Sequence, residues 1–296
     1  MTDNPLQWLE AYLSRRAGLA SHKSDFHCAP ACTRPGCKNP DLQVPVSLID
    51  LVAAARRRHE PVAALYHRHY SLGLLADERQ DWLRIVTLRL KKPCAYLQND
   101  LCGIYPVRPL PCILFPEYLV NEGRFQEEAQ QAHFHDYLCF HQPLPLSPER
   151  ARVMTQLKQM WIRESLVSSY YLFHQGQCLI DFSNLMDELL PEAVSLGEAV
   201  PADQTEQSHI IPNAVMERYF LEHMAGCQPF AGVSDAISRL QQPEGLKEFL
   251  QLLKDDRRVQ KIRREGHDRA RVFRLVGGEL RARRQSLTHA ASKLYG

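Results

Sequence analysis

The stretch from Cys28 to Cys37, CAPACTRPGC, places three thiols within ten residues, together with two prolines and a glycine. It constrains the fold more than any other segment. Pro30 and Pro35 interrupt a regular helix, and Gly36 frees the backbone to turn just before Cys37. The segment must therefore be an irregular loop that can curl several sulfurs around one point. A second group, Cys94, Cys102 and Cys112, lies in KKPCAYLQNDLCGIYPVRPLPCILFP, where five prolines between Pro93 and Pro116 rule out a long helix. The remaining cysteines are Cys139, Cys178 and Cys227, the last two isolated.

An odd count of nine cysteines fits a closed disulfide framework poorly. The N-terminus, MTDNPLQWLEAYLSRRAGLA, reads as an amphipathic helix without an apolar leader, and no apolar run is long enough for a membrane span. The expected location is the cytoplasm, where clustered thiols serve metals or redox chemistry more often than disulfides. The spacings C-x3-C-x4-C and C-x7-C-x9-C supply two short-spaced ligand groups from distant segments, the arrangement that zinc or an iron–sulfur cluster requires. Six thiols exceed the four that one such centre needs, so either two centres form or some cysteines are not ligands. Cys178 and Cys227 read as small buried hydrophobes. His27, His133, His135 and His141 lie near the thiols and read as surface or outer-sphere groups.

The rest of the chain reads as mainly helical. Ser47 caps a helix beginning at Leu48, and Pro61 opens a second that runs to Tyr70. WLRIVTLRL alternates Ile85, Thr87 and Arg89 against Val86, Leu88 and Leu90, a strand pattern. Gln98-Asn99-Asp100 marks a hairpin tip that brings Cys94 near Cys102. Ser147-Pro148 starts a long helix with an apolar stripe through Val153, Leu157, Met160, Trp161 and Val167. Further helices are expected over 214–224 and 231–253. The basic tail from Asp255 reads as a charged helix face, broken or kinked at Gly277-Gly278. The expected fold class is mainly α. A cysteine-rich metal-binding domain with a small β-hairpin covers 1–146, and a helical region with a basic tail covers 147–296.

Pro93 to Pro116 resembles the signature of the YkgJ-like cysteine-cluster proteins. Cysteine spacing, Ile104-Tyr105, Arg108-Pro109 and Phe115-Pro116 all occur in order, and the likeness extends over about residues 26–140. The family is described as chelating zinc or iron, and its broader group includes flagellin lysine-N-methylases. The resemblance implies that Cys28, Cys32, Cys37, Cys94, Cys102 and Cys112 are metal ligands, with Cys139 in the place of a later family cysteine. It also makes methyl-transfer chemistry on a protein the concrete form of an enzymatic role, and on that ground an iron–sulfur cluster is favoured over zinc. Ile113 stands where an arginine often follows the last signature cysteine.

No GxGxxG, P-loop, HExxH or GxSxG motif is present. Arg108 lies on the proline-rich loop, either donating to bound thiolates or tying the loop to the helices. The function expected is a metal-binding protein, enzyme or accessory, acting in protein modification. Two other readings stay open. One is a zinc-stabilised module binding a protein or RNA through the basic tail, although the tail offers little for base stacking beyond Phe273. The other is a thiol-based metal handler or redox sensor.

Overall fold

Short polar residues open the helices. Asn4 accepts the Leu6 N–H at 3.0 Å and starts α1 (Pro5–Ser21), with Pro5 in the first turn. A short α2 (Pro35–Lys38) carries Cys37, and β1 (Val44–Pro45) follows. Ser47 and Asp50 form a reciprocal capping box at α3 (Leu48–Arg58), which ends at His59 in a left-handed conformation. After α4 (Val62–His69) come β2 (Tyr70–Ala76) and β3 (Leu83–Leu90). Val86, Leu88 and Leu90 are buried along β3, as the alternation predicts. A computed structural model describes residues 4–22, 26, 31–40, 42–77, 80–130, 134–141, 144–201 and 209–287.

The proline-rich segment folds as a tight hairpin, a 3-10 turn at Tyr105–Val107 and one short helix, with two more short helices just after it. The hairpin joins β4 (Leu97–Gln98) to β5 (Leu101–Cys102), with Leu97 opposite Cys102. Asn99 and Asp100 both take positive φ at its tip, 48° and 58°, the geometry of a primed hairpin turn. The helices are α5 (Leu110–Leu114), α6 (Glu117–Asn121) and α7 (Phe125–Ala129). The long α8 (Pro148–Phe173) begins where Ser147-Pro148 places it.

The second half departs from expectation. It contains β6 (Cys178–Asp181), α9 (Phe182–Ser195), and the small ladder of β7 (Val200–Pro201) with β8 (His209–Ile210). The helices α10 (Asn213–Tyr219), α11 (Val233–Arg239), α12 (Pro243–Lys254) and α13 (Asp256–Asp268) follow. The basic tail is helical only through α13; beyond it the chain turns to strand, as β9 (Ala270–Val276) and β10 (Glu279–Gln285). Gly277 and Gly278 do not kink a helix. Both have positive φ, 58° and 80°, and close a two-residue hairpin.

The mainly α expectation is therefore corrected to a mixed α/β fold. A six-stranded mixed sheet runs in the order β1-β3-β6-β9-β10, with β2 also on β3. The β6–β9 pair is parallel and the others on that path are antiparallel. The physical reason is non-local pairing. Cys178–Asp181 is too short to announce itself, and it becomes a strand because Leu83–Val86 and Val272–Phe273 flank it.

The chain forms two compact units, each built from interleaved segments. Unit 1 comprises 1–71, 88–165 and 239–253; unit 2 comprises 72–87, 166–238 and 254–296. One core of unit 1 packs Leu110, Ile113 and Leu114 of α5 against Val153, Met154 and Leu157 of α8. An aromatic core, Phe115, Phe125, Phe134, Tyr137 and Phe140, lies in the same unit. In unit 2, Leu83, Leu179, Ala270, Val272 and Leu287 pack together. No helix among the described residues is long and apolar enough to cross a membrane.

Candidate functional site

Unit 1 joins the two cysteine groups through their backbones. The Cys94 N–H donates to the Cys37 carbonyl at 2.7 Å, and Lys92 Nζ donates to the Gly36 carbonyl at 2.5 Å. The hairpin tip adds two exposed ties. Arg34 Nε donates to the Asp100 carbonyl at 3.2 Å, and Lys38 pairs with the Asp100 carboxylate at 2.9 Å. Tight turns make this possible: Leu97 N–H returns to the Cys94 carbonyl, and Gly103 N–H to that of Tyr96. Behind Gly36 stands Tyr137, which brings the Cys139 turn alongside α2.

The thiols meet through sulfur as well. Cys37 donates its S–H to Cys94, and this bond pushes Cys37 far above the ordinary thiol range, with burial adding to it. Cys94 moves the other way. The bond from Cys37 lowers it most, and the N–H groups of Tyr96 and Leu97 and the Lys92 ammonium also favour the thiolate, against burial. Burial pushes Cys112 up to about 12, opposed by Lys92 and reinforced by the charges of Cys94, Asp50 and Cys102. Cys102 is raised by burial, and the positive charge of Arg108 works against that. Cys37, Cys94, Cys102 and Cys112 thus share one electrostatic neighbourhood, in which Cys94 alone is shifted toward the thiolate.

That neighbourhood is not a closed coordination sphere. Among the described residues, no three His, Cys, Asp or Glu side chains are placed to hold a metal ion. The expectation of a cysteine-rich metal-binding domain is corrected to that extent: the described thiols gather, with one sulfur–sulfur hydrogen bond, but form no ready metal group. Cys28, His27 and His133 lie outside the described residues. Cys32 is half-buried just before α2. Cys139 sits in a 3-10 turn at Leu138–Phe140, packed on the aromatic core. Cys178 is fully buried in β6, and burial pushes its thiol up. Cys227 is half-buried and donates to the His223 carbonyl at 3.4 Å.

Sequence reasoning missed what holds the thiol loop in place. Arg16 of α1 is 2% exposed and stands between two fully buried carboxylates, Asp50 of α3 at 2.5 Å and Glu164 of α8 at 3.3 Å. The same guanidinium donates to the Arg108 carbonyl at 2.7 Å, four residues before Cys112. Tyr12 and Ser47 each donate to Glu164 at 2.7 Å. Burial raises the Glu164 carboxyl to about 7, aided by the negative charge of Asp50 and opposed by Arg16, Ser47 and Tyr12. The tie from Arg16 runs through the Arg108 carbonyl and does not use the Arg108 guanidinium. Its side chain lies over the exposed Tyr105 ring, 4.3 Å from the centroid. A second buried pair, Arg150 with Glu117 at 2.6 Å, also gathers the carbonyls of Leu19 and His22. Arg16 lies in a stretch that reads only as an amphipathic helix, and Ser47 reads only as a cap, so nothing in the local pattern marks this buried cluster.

Comparison with models of protein families, with curated proteins and with solved structures gives no match for this chain.

Proposed function

We propose that unit 1 binds a thiophilic metal, as an iron–sulfur cluster or as zinc, through Cys37, Cys94, Cys102 and Cys112. Cys28, Cys32 and Cys139 are the further candidate ligands. The observation that carries this reading is the meeting of the two cysteine groups, where the Cys94 N–H donates to the Cys37 carbonyl at 2.7 Å. The donor set suits the group. Thiolate sulfur is soft, and the surroundings of Cys94 shift its thiol toward the anion. Cys37, Cys102 and Cys112 are held as thiols, so loading requires their deprotonation and small shifts of the loops that carry them.

The role at this centre is the modification of a protein, with methyl transfer to lysine its concrete form, as enzyme or accessory. The support for that finer step is the Pro93–Pro116 motif alone. Anaerobic purification, with iron, zinc and acid-labile sulfide quantified, tests the metal. Iron matched by sulfide and a brown colour identify a cluster, and a colourless protein with zinc identifies a thiolate zinc site. Protein that stays metal-free after anaerobic reconstitution sinks the proposal. Binding of S-adenosylmethionine tests the methyl-transfer step separately.

The Cys37–Cys94 pair supports a second reading, a dithiol redox sensor. A thiolate beside a protonated thiol is the pairing that closes to a disulfide, with two electrons and the one remaining thiol proton passing to an oxidant. A loss of two free thiols and two mass units on mild oxidation, abolished in Cys94→Ser, would favour it over metal binding.

A further inference from the structure

We propose that the outer edge of β10 takes an extended acidic segment of another protein as an added strand. Strand β10 is the last in the sheet order, and among the described residues no strand lies beyond it. The hairpin sets which backbone groups face outward. Val276 and Glu279 close its two-residue turn, with Arg281 opposite Arg274 and Arg283 opposite Val272. In an antiparallel ladder the bonded pairs alternate, so the N–H and C=O groups of Leu280, Ala282 and Arg284 point to the open edge. Such an edge gives main-chain affinity to any incoming strand.

Charge selects the strand. From Lys254 to Gln285, Lys and Arg outnumber Asp and Glu by more than two to one, although the whole chain carries only +2. Arg274, Arg281 and Arg283 are exposed on one face of the hairpin, with Arg274 directly across from Arg281. Arg274 has Asp181 at 3.1 Å and Arg281 has Glu279 at 3.4 Å, while Arg283 has no ion pair among the described residues. Like charges opposed across a pair are unfavourable, and an anionic neighbour relieves them. A strand with Glu or Asp at alternate positions would set its carboxylates beside Arg281 and Arg283, and its intervening apolar residues beside Leu280, Ala282 and the aliphatic stem of Arg284.

The same register disfavours a second copy of this chain. Antiparallel pairing of two β10 strands about Ala282 would put Arg281 against Arg283 twice, the charged edge by which sheets resist self-pairing. A nucleic-acid strand fits less well. Phe273 is the only aromatic residue from Lys254 to Leu287, and it is buried, so no base-stacking platform exists there.

The test uses the full chain and a fluorescent synthetic peptide alternating Glu with Val. A shuffled peptide of the same composition and a labelled RNA of equal charge serve as competitors. The alternating peptide should bind more tightly than both and slow amide exchange at residues 280, 282 and 284. The double variant Arg281→Glu, Arg283→Glu should weaken binding about tenfold or more. Ala282→Pro leaves the charge intact and removes one edge donor, and it should also weaken binding. Equal binding of the shuffled peptide, tighter binding of the RNA, self-association in place of peptide binding, or unchanged exchange at the β10 edge would each overturn the proposal. The exchange measurement and the shuffled peptide need only the wild-type chain, so they decide the matter even if a variant fails to fold.

Discussion

At the scale of single residues, the thiols are set apart by their neighbours. Cys94 receives a sulfur donor, two backbone N–H groups and a nearby ammonium, whereas half-buried Cys112 has its thiol raised mainly by desolvation. The thiolate is the reactive form. Iodoacetamide followed by peptide mapping should therefore modify Cys94 ahead of Cys102 and Cys112 at neutral pH. Its rate should already be climbing below the ordinary thiol range, and Cys37→Ala should move that rise to higher pH. Equal rates at all three would contradict this account.

Arg16 is the residue whose loss should cost most. Its removal strands Asp50 and Glu164 without their cation, a defect worth about 3–5 kcal/mol. Arg16→Met should lower the urea midpoint accordingly and loosen the Arg108–Cys112 loop. Glu164 also gives a pH signature with a definite sign. Its folded-state pKa lies above the unfolded value, so the folded chain holds the proton more tightly. Stability is favoured below the unfolded glutamate value and falls as pH rises through about 7. Urea titrations across that window should show the decline, and Glu164→Gln should flatten it.

At the scale of elements, local chemistry and tertiary contact sometimes agree and sometimes conflict. Ser47 combines both: it caps α3 and its hydroxyl donates to Glu164. Ser47→Ala should therefore exceed the usual cost of a lost cap, about 1 kcal/mol. Gly245 shows the conflict. In the first turn of α12, alanine would ordinarily gain up to about 1 kcal/mol over glycine. Here an added Cβ would run into the Arg239 carbonyl at the end of α11. Gly245→Ala should destabilise by about 1–3 kcal/mol, and a rise in melting temperature would refute that. The β4–β5 hairpin was legible because Asn99-Asp100 is turn chemistry between short apolar flanks. The β9–β10 hairpin was not. Its arginines alternate with apolar residues over only a few positions, and a basic helix face presents much the same composition.

At the scale of the whole molecule, each unit is assembled from three separate stretches of chain. Unit 1 needs α8 for its core, since Val153, Met154 and Leu157 pack on α5, and it needs Glu164 for Arg16. A fragment ending at residue 146 lacks both. It should show no cooperative unfolding and little dispersion in its amide spectrum, while the full chain shows both. A well-folded fragment 1–146 would show that the missing segments are dispensable.

The sequence by itself determined the features that depend on near neighbours. These are the caps at Ser47 and Ser147-Pro148, the turn at Asn99-Asp100, the buried alternation of β3, and the grouping of thiols between prolines. Each is decided within a few residues by dihedral preference and hydrogen-bonding reach. Only the tertiary structure decided that Arg16 is a buried cation, that Cys94 and Cys37 are shifted in opposite directions, and that Cys178–Asp181 and the end of the basic tail are strands. Those outcomes depend on groups brought from far along the chain. A charge becomes tolerable inside only when its counter-charges arrive there, and a short apolar run becomes a strand only when partners lie on both sides to accept its backbone.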